Sequence, residues 1–325
     1  MSKTYFSKSL NGSFMQRLKE TISKEFSGCK TVAVKIHFGE PGNENSFKPI
    51  QVKPVVDLLK ELNFNYFLYD SSVMYSSLRD NPESHMKVAL EKGWGSLGEV
   101  RTTDGFVVVK GENMSYEVCK ELVDADAVLV LSHFKGHVCA GFGGAIKNLG
   151  MGALTKKSKA AIHTGGMPEI VGICKRCRLC EEACPMNFIT VTDKPNFKGC
   201  LGCSSCIYAC PYGVLRPKKN YYDTLLADGA SAAQKSFKKY LYVNFIINIT
   251  KLCDCASNPG KKIAEDVGYI FNNDAVSIDN ASRELVNRQE GKDLFLEFNK
   301  KSGVEQLEAA QEFGMGEMSY ELIHV

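Results

Sequence analysis

The sequence predicts an α/β fold, a largely parallel-sheet domain that is interrupted by a small cysteine-rich insert. Apolar, β-branched segments alternate with helical segments in both halves of the chain, the pattern of a parallel sheet covered by helices. Between these halves, eight of the 13 cysteines fall within 174–210. The 325 residues correspond to about two domains. We therefore expect one α/β domain formed by residues 1–170 and 217–325, around an α+β insert at 171–216.

The first half begins with a helical pattern and continues with three strand-like segments. Apolar side chains at fourfold spacing predict an amphipathic helix at 14–27. The segments 31–38 and 64–69 are rich in β-branched or aromatic residues and predict strands, with a helix between them near 49–62. The near-continuous apolar run at 126–132 is typical of a buried parallel strand.

The α/β pattern resumes after the cysteine-rich region. The apolar segments 241–249 and 267–271 predict two further strands. Turn-forming residues at 272–274 precede a predicted helix near 278–287. The two halves are therefore expected to fold together as one domain.

The overall composition excludes several classes of partner. The 40 basic and 37 acidic residues give a net charge of +3, so no strongly basic surface for nucleic acid or anionic membranes is expected. The longest apolar stretch, at 240–249, is far shorter than the about 20 residues of a membrane helix. Residues 1–6 lack the pattern of a secretion signal. We expect a cytoplasmic protein, and in that reducing compartment patterned cysteines indicate metal rather than disulfides.

The eight clustered cysteines repeat the spacing C-x2-C-x2-C-x3-C-P twice. In bacterial ferredoxins with this spacing, the fourth cysteine of each run binds the cluster of the other run. Zinc sites are built instead from CxxC pairs, so the spacing favours two [4Fe–4S] clusters over zinc or free thiols. The predicted ligands of cluster one are Cys174, Cys177, Cys180 and Cys210. The predicted ligands of cluster two are Cys200, Cys203, Cys206 and Cys184.

The loop of the first cysteine run is basic. It carries Lys175, Arg176 and Arg178, whereas the second run carries small, uncharged residues. A basic loop beside a cluster would suit the docking of an acidic redox partner. A solvated surface loop explains the same charges equally well.

A glycine-rich segment at 132–152 follows a predicted strand, where α/β folds bind their ligands. Glycines let backbone amides approach an anion, but neither a Walker A loop nor a G-x-G-x-x-G motif is present. The candidate cofactor-binding residues are Gly141, Gly143, Gly144 and Asn148. Lys135, His137 and Lys147 are candidates to bind or protonate an anionic group. The alternative is a packing loop beside the clusters.

Three further groups follow predicted strands and could converge on the same site. They are His37, the polar residues at 70–72, and the Cys253-Asp-Cys255 sequence. Cys253 and Cys255 could bind a third metal or exchange as a dithiol, whereas a single histidine or aspartate at a strand end often has a structural role. The remaining cysteines are expected to be small buried hydrophobic residues or bystanders: Cys29, Cys119 and Cys139.

These motifs resemble those of the proteins with the domain of unknown function 362, iron–sulfur proteins with an embedded two-cluster ferredoxin module. The resemblance extends over essentially the whole chain and implies the same interrupted architecture, although the basic first loop departs from it. The similar stretches are VAVKIHFGEPGN at 32–43, FLYDSSVMY at 67–75, LSHFKGHVCAGFGGAIKNLGMG at 131–152, CDC at 253–255, DVGYIFNNDAVSIDNAS at 266–282 and GMGEMSYELIHV at 314–325.

Three functions agree with these observations. The first is an oxidoreductase that passes electrons from a redox partner protein through both clusters to a small-molecule substrate, or to a second cofactor such as a flavin, at the glycine-rich Lys/His site. The second is a ferredoxin-like electron carrier without a substrate of its own. The third is a metal-binding protein with an additional site at Cys253 and Cys255.

Overall fold

The computed structural model describes residues 2–325, in which a mostly parallel sheet is covered by helices on both faces. The strands are β1 (Ser2–Ser7), β2 (Thr31–Lys35), β3 (Asn65–Tyr69), β4 (Glu99–Arg101), β5 (Phe106–Lys110), β6 (Ser115–Cys119), β7 (Ala127–His133), β8 (Lys135–His137), β9 (Gly141–Gly143), β10 (Pro168–Ile170), β11 (Thr190–Val191), β12 (Pro195–Asn196), β13 (Leu215–Pro217), β14 (Tyr240–Ile246), β15 (Gly268–Asn272) and β16 (Tyr320–His324). The helices are α1 (Gly12–Glu25), α2 (Pro49–Glu61), α3 (Pro82–Glu91), α4 (Lys120–Asp124), α5 (Ala145–Gly150), α6 (Lys156–Gly165), α7 (Leu179–Ala183), α8 (Ser205–Tyr208), α9 (Tyr222–Ser236), α10 (Ala275–Glu290), α11 (Leu294–Asn299) and α12 (Val304–Glu312).

The central sheet has eight strands in the order β16-β1-β15-β14-β7-β2-β3-β4. Five of its neighbouring pairs are parallel, and β15 runs antiparallel to both of its neighbours. The parallel α/β character predicted from the sequence is therefore confirmed. The carboxyl ends of β2, β3, β7 and β14 meet at one edge of this sheet, where a ligand site is expected.

The five strands expected from apolar segments all form, as β2, β3, β7, β14 and β15. The three predicted helices are α1, α2 and α10. The antiparallel direction of β15 has a local cause. Residues 247–267, between β14 and β15, contain no helix that could carry the chain back for a parallel crossover.

Strand β7 shows why the predicted apolar run at 126–132 is nearly continuous. Val128 and Val130 belong to the core on one face of the sheet, and Leu129 and Leu131 belong to the core on the other. Because side chains alternate along a strand, a strand that is buried on both faces needs apolar residues at successive positions.

The cysteine-rich region forms a separate small unit. It enters through β10 and leaves through β13, which pair antiparallel, and the Val171 amide donates to the Val214 carbonyl at 2.9 Å. The unit contains α7, α8 and the hairpin β11–β12. It has a small hydrophobic cluster of its own, which includes Ile189, Val191 and Ile207. In residues 2–325, no helix is long and apolar enough to cross a membrane.

Candidate functional site

A cavity of about 410 Å³ lies at the carboxyl edge of the sheet, between the α/β domain and the insert. Its volume is that of a site for a small molecule. The wall is formed by the ends of β2 and β3, the glycine-rich segment, helix α6, the 252–256 turn and the insert. The three predicted patches at strand ends therefore meet around one cavity.

Two smaller cavities lie at the insert, and each is lined by four of the patterned cysteines; Cys139 of the glycine-rich segment also lines the second one. One quartet is Cys174, Cys177, Cys180 and Cys210. The other is Cys184, Cys200, Cys203 and Cys206. In each quartet, three cysteines come from one run and the fourth comes from the other run. The cysteines are thus grouped as the spacing predicted, and their role as cluster ligands stays a prediction.

Within residues 2–325, no three His, Cys, Asp or Glu side chains are close enough together to hold a single metal ion. A tetrahedral zinc, at about 2.3 Å from each sulfur, would draw its ligands together. A [4Fe–4S] cluster binds each cysteine through a different iron, so four separated thiols around a cavity could hold one.

The second quartet and the large cavity share a wall. Both are lined by Val138, Cys139, Met186, Cys200 and Leu201. A group bound by the second quartet would therefore lie next to a molecule in the large cavity.

The first quartet lies towards the surface of the insert. Cys177 is exposed, and Cys174 and Cys210 are half-buried. Lys175 and Arg178 of the basic loop line the same cavity. This quartet is therefore the more accessible one to another protein.

Cys253 and Cys255 face the large cavity from a tight turn. The Ala256 amide donates to the Cys253 carbonyl at 3.1 Å, and the Cys255 amide donates to the Cys253 Sγ at 3.4 Å. The Lys147 Nζ lies 3.2 Å from the Cys255 Sγ and 3.8 Å from the Cys253 Sγ. The structure thus brings together the predicted thiol pair and a lysine of the glycine-rich segment.

The contacts around this pair favour a thiolate at Cys253. A hydrogen bond from the Cys255 thiol and the charge of Lys147 lower the pKa of Cys253 to about 5, although burial opposes them. Conversely, the hydrogen bond to Cys253 raises the pKa of Cys255. Burial alone would lower the pKa of Lys147, but the two sulfurs reverse this effect and raise it. The arrangement is an ammonium ion beside one thiolate and one thiol.

His37 contacts the same thiol pair from the end of β2. The Gly39 amide donates to His37 Nδ1 at 3.0 Å, so the proton of the neutral ring is on Nε2, which lies 3.5 Å from the Cys255 Sγ. Burial and the charge of Arg79 lower the pKa of His37. The Nε2–H of this neutral ring faces the thiol pair, and the Arg79 Nη1 lies 3.2 Å from the same nitrogen.

Two more histidines line the cavity in neutral form. The Ala140 amide donates to His137 Nδ1 at 3.2 Å, and burial followed by the charge of Lys147 lowers the pKa of His137 to about 3. The His163 Nδ1 lies 2.7 Å from the Leu201 carbonyl oxygen, and burial lowers the pKa of His163 to about 4. The free Nε2 of His137 can donate a hydrogen bond to a ligand, whereas the free Nε2 of His163 can accept one, since the His163 Nδ1–H donates to Leu201. Neither ring carries a charge at neutral pH.

Lys135 does not line the cavity. Its Nζ donates to the Asp254 Oδ1 at 2.9 Å and to the Asn45 carbonyl at 3.0 Å. Asp254 also contacts His133 Nδ1 at 2.9 Å. Burial opposes ionisation of Asp254, but His133 and Lys135 outweigh it and hold the pKa of this carboxyl well below its usual range. Lys135 thus fixes the turn between the two cysteines.

Asp70 plays a similar role at the end of β3. Its carboxylate accepts from the Lys35 Nζ at 3.1 Å, the Phe38 amide at 3.1 Å and the Arg79 guanidinium at 3.4 Å. Burial opposes its ionisation, but Lys35 and neighbouring groups hold the pKa of Asp70 well below its usual range. The fully buried Arg79 also pairs with Glu40, at 2.9 Å. These groups support one wall of the cavity.

The glycines of the segment serve packing as well as the cavity wall. Gly143, Gly144 and Asn148 line the cavity, whereas Gly141 does not. Gly141 has a φ of +78°, and a Cβ there would lie 2.6 Å from the Gly303 amide nitrogen. A Cβ on Gly144 would lie 2.2 Å from Asp279 Oδ1. Both positions therefore require glycine because other segments pass close to them.

Sequence reasoning missed three charged or polar residues of the wall. Arg79, Lys159 and His163 all line the cavity. Lys159 and His163 lie four positions apart on α6, so they share one face of that helix. This four-residue spacing is the only feature of the sequence that could have pointed to Lys159 and His163 as site residues. It does not distinguish them, because many helices with a polar face have the same spacing.

The chain was compared with curated proteins and with solved structures. No curated protein is similar enough to count as a match. The lactate racemase apoprotein from Thermoanaerobacterium thermosaccharolyticum aligns with 14% identity and a TM-score of 0.41, over 76% of this chain and 51% of that one. A protein from Thermotoga maritima aligns with 12% identity and a TM-score of 0.43, over 92% of this chain and 59% of that one.

The chain thus spans only 51% and 59% of the lengths of these two structures. The family described as "Domain of unknown function (DUF362)" matches residues 32–284. This range includes the strand ends at the large cavity, the insert and the Cys253–Cys255 turn. The chain therefore belongs to the DUF362 family.

Proposed function

We propose that this chain is an iron–sulfur oxidoreductase that passes electrons through two [4Fe–4S] clusters to a small-molecule substrate in the large cavity. The observation that carries this proposal is the pair of cysteine quartets, each around its own cavity, with the second sharing a wall with the large cavity. A bound [4Fe–4S] cluster supplies one electron at a time.

The proposed ligands fit the clusters in number and chemistry. Four patterned cysteines line each cavity, with Cys139 as a fifth thiol at the second, and no His, Asp or Glu side chain lines either one within the part of the chain that is described. In both quartets the fourth ligand precedes a proline, Pro185 or Pro211. This arrangement supports a two-cluster module of the bacterial ferredoxin kind.

The positions of the two quartets suggest a direction for electron transfer. The first quartet is near the surface, beside the basic loop and the 83% exposed Ile173. We propose that an acidic redox partner docks there. The second quartet, next to the large cavity, would deliver electrons to the substrate.

The residues of the cavity would bind the substrate and move protons. The Cys253 thiolate can act as a nucleophile or accept a proton. Lys147 holds that thiolate in place, since its ammonium faces both sulfurs. His37 donates a hydrogen bond towards Cys255, which keeps the thiol pair oriented.

The two alternatives differ from this proposal in what they require. A simple electron carrier has no need of the 410 Å³ cavity beside the second quartet. A third metal at Cys253 and Cys255 would need the position beside both sulfurs that the Lys147 ammonium takes. Both features favour an oxidoreductase.

Metal analysis of anaerobically purified protein tests the proposal. We expect about eight iron and eight sulfide per chain, as two clusters require, with electron paramagnetic resonance signals after reduction. Cys203→Ser should lower the iron content, whereas Cys29→Ser, remote from both quartets, should leave it unchanged. Zinc in place of iron would contradict the proposal.

The same sample separates the alternatives. Zinc, nickel or flavin that is lost in Cys253→Ser would support an additional metal or cofactor site. Reduced clusters that are reoxidised by small oxidised substrates, in a reaction that Cys253→Ser abolishes without loss of iron, would support the oxidoreductase. If only protein acceptors reoxidise the clusters, the chain is an electron carrier.

A further inference from the structure

Lys159 is a buried cation of the large cavity that has no acidic partner. Lys159 is only 5% exposed. Its Nζ donates to the Ser71 Oγ at 2.7 Å and to the carbonyls of Ser71 and Ser72. Within residues 2–325, its ammonium hydrogen-bonds only to these neutral oxygens. A buried charge is costly unless an opposite charge pairs with it.

The other cations in this region are compensated. Each contacts a carboxylate or the thiolate of the thiol pair: Lys35 with Asp70, Arg79 with Glu40 and Asp70, Lys135 with Asp254, and Lys147 with Cys253. Burial is also the main cause that lowers the pKa of Lys159, to about 8. The cavity therefore retains one positive charge that the protein itself does not neutralise.

Helix α6 links this charge to the second cysteine quartet. Lys159 and His163 lie on the same face of the helix, about 6 Å apart along its axis. His163 Nδ1 contacts the carbonyl of Leu201, and Leu201 lies in the wall that the large cavity shares with the second quartet. A ligand that extends along this face from Lys159 would reach the quartet.

We propose that Lys159 binds the carboxylate or phosphate group of the substrate, so that the reducible part of the molecule lies farther along α6, beside the second quartet. An oxyanion would supply the missing negative charge, and by replacing the long 3.4 Å contact with the Ser71 carbonyl it would accept a charge-assisted hydrogen bond from the ammonium. A cavity of about 410 Å³ limits the substrate to a small organic acid or phosphate ester. The inference rests on the proposed function in one respect, that this cavity is the substrate site.

Calorimetric titration of the anaerobically purified holoprotein with malonate and, separately, with inorganic phosphate tests this inference. We expect the wild type to bind at least one of the two anions. Lys159→Met keeps the aliphatic stem but removes the charge, and it should weaken that binding about tenfold or more. Lys156→Met alters an exposed lysine of the same helix and should leave binding unchanged. The stronger of the two probes identifies the substrate as a carboxylate or a phosphate.

A second variant keeps the test decisive if Lys159→Met does not fold. Lys159→Gln retains hydrogen bonding to Ser71 and should also lose anion affinity, with circular dichroism as the check on folding. Wild-type affinity in either folded variant, or no anion binding by the wild type, would overturn the inference. Anion binding does not depend on electron transfer. Low iron content together with Lys159-dependent binding would therefore overturn the proposed function and leave this site intact.

Discussion

Cys253 and Lys147 are separated by 106 positions in the sequence, yet the Lys147 Nζ lies 3.8 Å from the Cys253 Sγ. Because the pKa of Cys253 is about 5, its sulfur should be a thiolate throughout the neutral range. We expect its alkylation by iodoacetamide to be nearly independent of pH between about pH 6 and pH 8. Lys147→Met removes the stabilising charge, so the rate should then be lower at pH 6 and rise with pH. Peptide mass spectrometry measures both rates.

Cys29 provides the internal control for this measurement. It is half-buried like Cys253, but burial raises its pKa above the ordinary value. Its alkylation should therefore increase steadily with pH in both proteins. If Cys253 shows the same steep pH dependence as Cys29 in the wild type, the thiolate assignment is wrong.

For individual residues of the cavity, the sequence predicts those that follow strands more successfully than those that lie on helices. His37, Lys147 and the Cys253–Cys255 pair were expected because each follows a strand, and parallel strands end at one edge. Lys135 also follows a strand, but its direction into the protein depends on Asp254, 119 positions away. Lys159 was missed because only the tertiary structure distinguishes it from the exposed lysines of α6.

Helix α5 carries Lys147 and Asn148, and its position depends on an aspartate of α10. Asp279 accepts from the Ala145 amide at 2.7 Å and from the Ile146 amide at 2.9 Å, and Asn244 donates to the same carboxylate at 2.8 Å. The close approach of this carboxylate is what requires glycine at Gly144. The sequence suggested that the glycines serve an anion, but an anion of the protein itself occupies the start of the helix.

Asp279→Ala should therefore destabilise the protein and disturb the site together. The substitution leaves buried amide groups without an acceptor, for which we expect a loss of about 2 kcal/mol or more in the free energy of unfolding. Because α5 carries Lys147, the alkylation rate of Cys253 near pH 6 should also decrease. Urea denaturation and the alkylation assay measure the two effects.

Asn81→Ala is the matched control for this element. It removes the exposed cap of α3, where the Asn81 Oδ1 accepts from the Ser84 amide at 3.0 Å, and should cost about 1 kcal/mol. It should not change the reactivity of Cys253, since α3 does not carry Lys147. Equal effects of the two variants on Cys253 would show that α5 is not held through Asp279.

The architecture of the whole molecule was predictable in outline because the composition changes sharply around the insert. Four of the outer strands, β1, β4, β15 and β16, lie at or near the edges, and only β15 was expected as a strand. It also pairs with β1, which comes from the opposite end of the chain. The contacts between the insert and the domain could not be predicted from the sequence either. Lys300 donates to the Cys184 carbonyl and Lys301 to the Cys203 carbonyl, and these partners are about 100 positions apart in the sequence.

This organisation predicts how the molecule responds to loss of iron. Units of about 40 residues rarely have a core large enough to fold without metals or disulfides. Several of the buried residues in the small cluster of the insert are the proposed iron ligands themselves. Removal of iron with an oxidant and a chelator should therefore unfold the insert, while the large sheet remains folded.

Limited digestion with trypsin measures this difference. Iron-free protein should be cleaved rapidly after the basic residues of the insert that do not precede a proline, which are Lys175, Arg176, Arg178 and Lys198. The sheet order interleaves strands from both sides of the insert, with β1 between β16 and β15, and β7 beside β14. The cleaved halves should therefore stay together in gel filtration, and cleavage outside the insert should be unchanged. Equal cleavage of the insert with and without iron would mean that no cluster stabilises it.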